Sequence, residues 1–390
     1  MPPPTPPAGR APAGTVTRTS DPAEPSYGRT SPDEVASPAR PLPARPVLAP
    51  AVRRLWRDAA NLQLGRAGRR SAVLSGLDPA TRHVLTLLDG TRERAQLVLQ
   101  AAAAGCPPAR TSLLIELLAG AGMLADGAQG TGPLGRLQRI ERERLTADLD
   151  SLALVRDDGG LPAMEHRQAA RIAVHGAGRV GAPLALLLAS AGIGAVDVVD
   201  ERITRAHDVV VGGLAADDVG RPRGDATRAR LCAAAPSADT SAQERPDLIV
   251  LAPARAEQLD EAREQLPSGV PHLLVEVRDV VGVVGPLVLD ELGPCLHCLD
   301  LTRTDLDAGW PGLAAQLSVA SRARQACDGP LALHVAAQAA QQVLCLVDGT
   351  TRPAALGGTL ELTLPDWRWR RRSWPVHPAC HCTAAQALSA

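Results

Sequence analysis

Phenylalanine is absent from this chain, tyrosine occurs once (Tyr27), and there is no lysine, so all 41 basic residues are arginine. We read this as compositional bias rather than as a sign of function. The missing lysine still excludes some chemistry: no catalytic lysine is available, and no Walker-type phosphate loop, which needs one. No apolar run approaches the roughly 18 residues of a membrane span, and the N-terminus lacks an apolar signal core. The formal net charge is −1, which gives the whole chain no pull toward nucleic acid or an anionic membrane. Eight cysteines are spaced unevenly over 390 residues. That pattern argues against a disulfide frame and for a cytoplasmic protein with metal-bound or free thiols.

Among what is present, residues 171–200, RIAVHGAGRVGAPLALLLASAGIGAVDVVD, are the most informative. An apolar run ends at a turn carrying Gly176, Gly178 and Gly181; a small-residue helix follows, then a second apolar run that ends at Asp200. This is the pattern of a β-α-β nucleotide-binding unit. Glycines permit a tight turn and close approach of backbone to phosphate, and the helix N-terminus supplies donors for it. An acid about 20 residues on suits a ribose hydroxyl.

The length predicts two or three domains. Residues 1–44 are rich in Pro, Ser, Thr and Ala and poor in large apolar residues, so they are expected to be a disordered tail. In residues 45–126, RRLWRD, NLQLG and SAVLSGL read as short strands and three helical patterns follow, the second capped by Thr91. Strands and three short helices in this span predict a winged-helix module. Its arginines are scattered, and its third helix carries only Arg110 near its start, which does not favour nucleic acid. Residues 127–168 read as a helical connector. From about 169 to 390, apolar runs at RIAVHG, AVDVVD, DLIVLA and HLLVEV predict a mainly parallel sheet with helices on its faces, an α/β fold. TLELTL and WRWRRRSW predict a hairpin with Trp367, Trp369 and Trp374 inward.

Cys295-Leu-His-Cys298 and Cys380-His-Cys382 form two short pairs about 80 residues apart. Zinc prefers four tetrahedral soft ligands, and four thiolates leave no open position for catalysis. The pairs therefore predict a structural Zn2+ site that ties the chain end to the domain body, with unmetallated thiols or a mixed site using His297, His377 or His381 as the other readings.

The GAGRVG turn, the phrase LLASAGIGAVDVVDE and the paired cysteines together resemble the ThiF and ubiquitin-activating-enzyme superfamily. The resemblance covers residues 169–390 and implies an ATP-binding fold that adenylates a C-terminal carboxylate, a structural zinc tetrad, and a tendency to form homodimers. GVVGPLVLDELGPCLHCLDLTRTDLDAGWP is similar to the ThiF-like proteins of azole-forming (TOMM) ribosomal peptide pathways. RPVLAPAVRRLWRDAANLQLG and the first helix resemble the PqqD-like element that binds a precursor's leader peptide.

Departures from the family pattern bear on catalysis. Asp200 matches the ribose acid, and Val219-Gly220-Arg221-Pro222-Arg223 matches a closing phrase in which the family carries lysine where this chain has Arg223. Counting back, the family's asparagine falls on His207 and its Arg-Gln pair on Val210 and Val211. The acid that helps to hold magnesium falls within Ala252-Pro253-Ala254, with no acid before Glu257. Neutral side chains there cannot stabilise developing phosphate charge.

The resulting expectation is a leader-peptide-binding scaffold with a degenerate adenylation site. It would deliver a ribosomal precursor to a separate modifying enzyme, by resemblance a YcaO-type cyclodehydratase. The peptide would add a strand at an edge near Ala72, Val73 and Leu74 and lay apolar side chains against Leu113, Leu114 and Leu117. The alternative is an active ATP-dependent adenylyltransferase acting on a peptide or carrier-protein carboxylate.

Overall fold

A computed structural model describes residues 16–18, 42–66, 71–130, 132–156, 158–241, 245–254, 257–264, 266–267, 269–289, 293–319 and 325–382. Most of the expected tail, residues 1–44, lies outside the described residues. The chain divides into two compact units: residues 1–136 with 146–162, and residues 137–145 with 163–390.

In the smaller unit, β1 (Val16–Arg18), β3 (Arg54–Trp56), β4 (Leu62–Leu64) and β5 (Ala72–Leu74) form an antiparallel sheet in the order β1-β5-β4-β3, while β2 (Pro46–Leu48) pairs with β6 (Leu124–Asp126). Helices α1 (Pro79–Leu87), α2 (Arg94–Ala103) and α3 (Pro108–Gly120) lie between β5 and β6. Asp78 caps α1 by accepting from the Thr81 amide at 2.7 Å. Thr91, the expected cap of α2, instead donates to Asp89 through its amide and hydroxyl, and the helix starts at Arg94. The Asx turn at Asp89 competes for those donors and delays the helix. Leu62, Leu64, Leu74, Leu97, Ile115 and Leu118 form the centre of a single core.

In sequence order, the remaining elements are α4 (Arg139–Val155), α5 (Leu161–Ala169), β7 (Arg171–His175), α6 (Gly181–Ser190), β8 (Ala195–Val199), α7 (Arg223–Ala234), β9 (Leu248–Leu251), α8 (Glu257–Glu264), β10 (His272–Arg278), β11 (Val281–Val288), α9 (Leu296–Leu306), α10 (Trp310–Leu317), α11 (Gly329–Asp348), β12 (Gly358–Thr363) and β13 (Arg368–Ser373). The large sheet has the order β13-β12-β11-β10-β9-β7-β8. β8, β7, β9 and β10 run parallel; β11, β12 and β13 continue the sheet antiparallel. The parallel strands are almost wholly buried, as strands covered on both faces must be.

Helix α11 is long and apolar enough to cross a membrane by length and composition. Here Leu331, Val335, Ala336, Ala339 and Val343 are part of the core that includes Ile172, Leu184 and Val284. Asp328 caps its start, accepting from the Leu331 amide at 2.8 Å, and Gly349 ends it in the left-handed conformation. β12 and β13 form the expected hairpin, in which Trp369 packs on the core and Trp374, just beyond β13, is buried. Trp367 differs from expectation: it sits at the turn with φ of 53° and is 40% exposed.

Candidate functional site: a glycine turn, a buried arginine and a thiol cluster

The glycine turn follows β7 and is pressed onto the end of β9. Gly176 has φ of +103°, and a Cβ there would lie 2.2 Å from the Ala252 carbonyl oxygen. A Cβ on Gly181 would lie 1.9 Å from the Gly176 carbonyl oxygen. No other residue type fits at either place. α6 starts at Gly181, so its N-terminal amides face the turn. Asp200, just past β8, is buried; its Oδ2 accepts from the Ala177 amide at 2.9 Å and its Oδ1 from the Arg202 amide at 3.0 Å.

Arg223 opens α7 and completes the group. Its guanidinium is 8% exposed, donates Nε and Nη2 to the Asp208 carboxylate at 3.0 and 2.8 Å, and places Nη1 3.6 Å from Asp200. Nη1 is buried without a hydrogen-bond partner and lies 3.9 Å from where a Cβ on Gly178 would be. The structure thus brings Gly176, Gly178, Gly181, Asp200 and Arg223 together at the glycine turn. Asp208 was missed by the sequence reasoning. It lies next to His207 in a region aligned for asparagine and arginine, and only the fold shows that it faces Arg223.

The segment from His207 to Ala215 is anchored by Arg179 and borders a hollow. Arg179 donates Nη1 to the carbonyls of His207 and Val209, both at 2.9 Å. Val210 is buried, whereas Val211 is 82% exposed. Val209–Ala215 borders an open hollow of ≈ 530 Å³ with Leu186, Ala233 and Ala234, an apolar lining apart from Arg230. Arg230 is itself paired with Asp217 and Asp218. Beyond β9, Ala252 and Pro253 are buried, and the Ala254 amide donates to Gln258 at 2.9 Å. Residues 252–254 present no carboxylate for a metal ion.

The four cysteines converge in the same unit. Sγ separations are 3.8 Å for Cys295–Cys298, 3.5 Å for Cys295–Cys380 and 3.4 Å for Cys298–Cys382, and all four atoms lie within 4.8 Å of one another. A tetrahedral ion bonded at about 2.3 Å to each sulfur needs sulfurs roughly 3.8 Å apart, so the donor set and its spacing fit zinc. Cys295 is the residue before α9, and Cys298 lies in its first turn. Burial pushes the Cys295 and Cys382 thiols up; at Cys298 burial is outweighed by hydrogen bonds from the backbone of His377 and Cys295, and the thiol is lowered. His377 is not a ligand: its Nδ1 accepts from the Ala379 amide at 3.2 Å, and Nε2 donates to Asp305 at 2.8 Å. His297 is exposed.

In the smaller unit, Ala72, Val73 and Leu74 are buried, and the expected open edge is covered. β5 pairs with β4 on one side and on the other with the chain's own β1. Leu114 also departs from expectation: it is 6% exposed and belongs to the core. Leu113, 48% exposed, and the half-buried Leu117 are one helical turn apart on the outer side.

Residues 149–264 match the ThiF family. No curated protein matches the chain. Among solved structures, Escherichia coli MccB with MccA-N7isoASN superposes with a TM-score of 0.61 at 14% identity, covering 86% of this chain and 99% of that one. E. coli MccB with ATP gives 0.62 at 14% identity over 86% and 99%. PaaA gives 0.59 at 19% identity, over 83% and 99%. These identities support likeness of fold alone. The chain therefore carries a ThiF family domain within an α/β fold like that of MccB.

Proposed function

We propose that this protein captures a ribosomally made precursor peptide by its leader segment and presents it to a separate modifying enzyme of the YcaO type, its own nucleotide crevice being degenerate. The observation that carries this reading is the state of Arg223. The guanidinium in the crevice is engaged by Asp208 and approached by Asp200, so two buried acids face one buried cation. Val210 and Val211 add no donor. A triphosphate entering that crevice meets no uncompensated positive charge from these groups, and one lost cationic contact typically costs several kcal/mol in a phosphoryl or adenylyl transition state. The thiol cluster would hold a Zn2+ ion through Cys295, Cys298, Cys380 and Cys382. That ion supplies a structural clip: with four protein ligands it has no position for substrate.

Capture would proceed by strand addition at the small sheet, with Leu113 and Leu117 as apolar anchors beside it. Backbone bonds supply affinity, and side-chain pockets supply choice. Holding the leader raises the local concentration of the remaining peptide near the partner enzyme.

Fluorescence anisotropy of labelled leader segments from candidate precursors, with and without ATP–magnesium, tests the reading. Saturable binding that is indifferent to ATP is the expected outcome; binding only with ATP would refute it. A second reading, an active adenylyltransferase, draws support from two observations. Arg223 Nη1, though 3.6 Å from Asp200, has no hydrogen-bond partner beside the glycine turn, and MccB, a microcin C7 biosynthetic enzyme, was solved with ATP and with N-formylated MccA. ATP–pyrophosphate exchange in the presence of a bound peptide would establish that reading.

A further inference from the structure

The sheet edge assigned above to peptide capture already has an occupant within the chain. Val16–Arg18 lies antiparallel to β5, with Val16 opposite Leu74, Thr17 opposite Val73 and Arg18 opposite Ala72. β4 holds the other side of β5. A strand has two hydrogen-bonding edges, and both edges of β5 are taken. A peptide cannot add to β5 while β1 is there.

The sequence around β1 is suited to this place. Four of the five residues Thr15, Val16, Thr17, Arg18 and Thr19 are β-branched, the type that favours extended pairing. Pro12 and Pro22 flank the stretch, and proline cannot donate to a ladder, so pairing is confined between them. The segment is tethered to β2 through residues 19–45, which gives it an effective concentration on the order of millimolar at its edge. Its three paired residues make it a shallow occupant. A longer peptide that pairs over more residues has more to gain from the same edge.

We infer that Val16–Arg18 is a resident substitute for the captured peptide. This strand covers the β5 edge in the empty protein, protects it from pairing with other chains, and is displaced when an extended peptide binds antiparallel to β5. This rests on the reading that β5 is the capture edge. When a site is open only part of the time, apparent affinity falls by the open fraction. An edge covered nine-tenths of the time weakens binding about tenfold.

The test compares the full chain with two variants, one lacking residues 1–20 and one of unchanged length carrying Val16→Pro and Thr17→Pro. The first readout needs no precursor: amide hydrogen exchange at residues 72–74 speeds up in both variants. The second uses a labelled synthetic peptide of residues 11–22, which binds both variants saturably and the full chain about tenfold more weakly. Unchanged protection in both variants, together with equal peptide affinity for all three proteins, overturns the inference. The third readout is leader binding, expected to tighten about three- to tenfold in both variants. Leader binding absent from all three proteins while protection at 72–74 still changes refutes the capture reading, and displacement with it, and leaves β1 as an edge cover only. Leader affinity that is equal in all three proteins while protection changes overturns displacement and leaves capture at another surface.

Discussion

Replacing Asp208 by alanine should weaken the fold and at the same time make the crevice more receptive to phosphate. Asp208 accepts two charge-assisted bonds, at 3.0 and 2.8 Å, from a guanidinium that is 8% exposed. Breaking a buried pair by removing one partner costs about 3–5 kcal/mol. Asp200 remains 3.6 Å from Nη1 as a second counter-charge, so we expect a cost just below that range, roughly 2–3 kcal/mol. For a unit of this size each kcal/mol moves the melting temperature by about 2–4 °C, giving a loss of roughly 5–10 °C by differential scanning calorimetry. The released guanidinium should then accept an anion. A ligand at a hundred times its dissociation constant restores about 2.7 kcal/mol, so ADP or ATP should return much of the lost melting temperature in Asp208→Ala and change the parent protein little. A variant as stable as the parent would show that Asp208 does not carry the buried charge. An equal nucleotide response in both proteins would show that it does not neutralise the crevice.

Purified protein should contain about one zinc per chain, and Cys298→Ala should lose it; elemental analysis reads both, and a metal-free parent protein would refute the clip. Arg167 makes a bidentate pair with Asp348, both bonds 2.8 Å and both side chains buried; Arg167→Met alone should cost about 3–5 kcal/mol in urea unfolding, and adding Asp348→Leu should recover much of it. Leu114→Ala should cost about 2–5 kcal/mol, whereas Leu113→Ala should stay within about 0.5 kcal/mol and weaken leader binding instead. Glu141 is held below its ordinary 4.5, chiefly by its bonds from Arg144. Asp126 is held below 3.8 because amides of Arg45, Ala128 and Ala44 outweigh its burial. A depressed folded value means that stability is present above the unfolded value and lost as pH falls through the folded one, so urea midpoints should hold between pH 6 and 8 and drop below about pH 4.

The glycines at 176, 178 and 181, Asp200 and the two cysteine pairs were legible because each is a local spacing with one physical use. The antiparallel half of the large sheet was not fully legible: β11 reads as one more apolar run, and its direction depends on which strand it meets. Thr91 had the chemistry of a cap and lost its donors to Asp89, two residues away. Leu113, Leu114 and Leu117 are alike as letters, and only the rotation of α3 against the core separates a core residue from two outer ones.

The sequence by itself determined the β-α-β unit and the thiol set, since those depend on residue types and short spacings. Tertiary structure decided that Asp208 faces Arg223, and that Val16–Arg18 lies on β5 rather than away from it. Both pairings join residues distant along the chain, through charge in one case and backbone hydrogen bonds in the other. No local pattern specifies such partners; they are selected when the folded chain leaves a buried cation or an open strand edge in need of one.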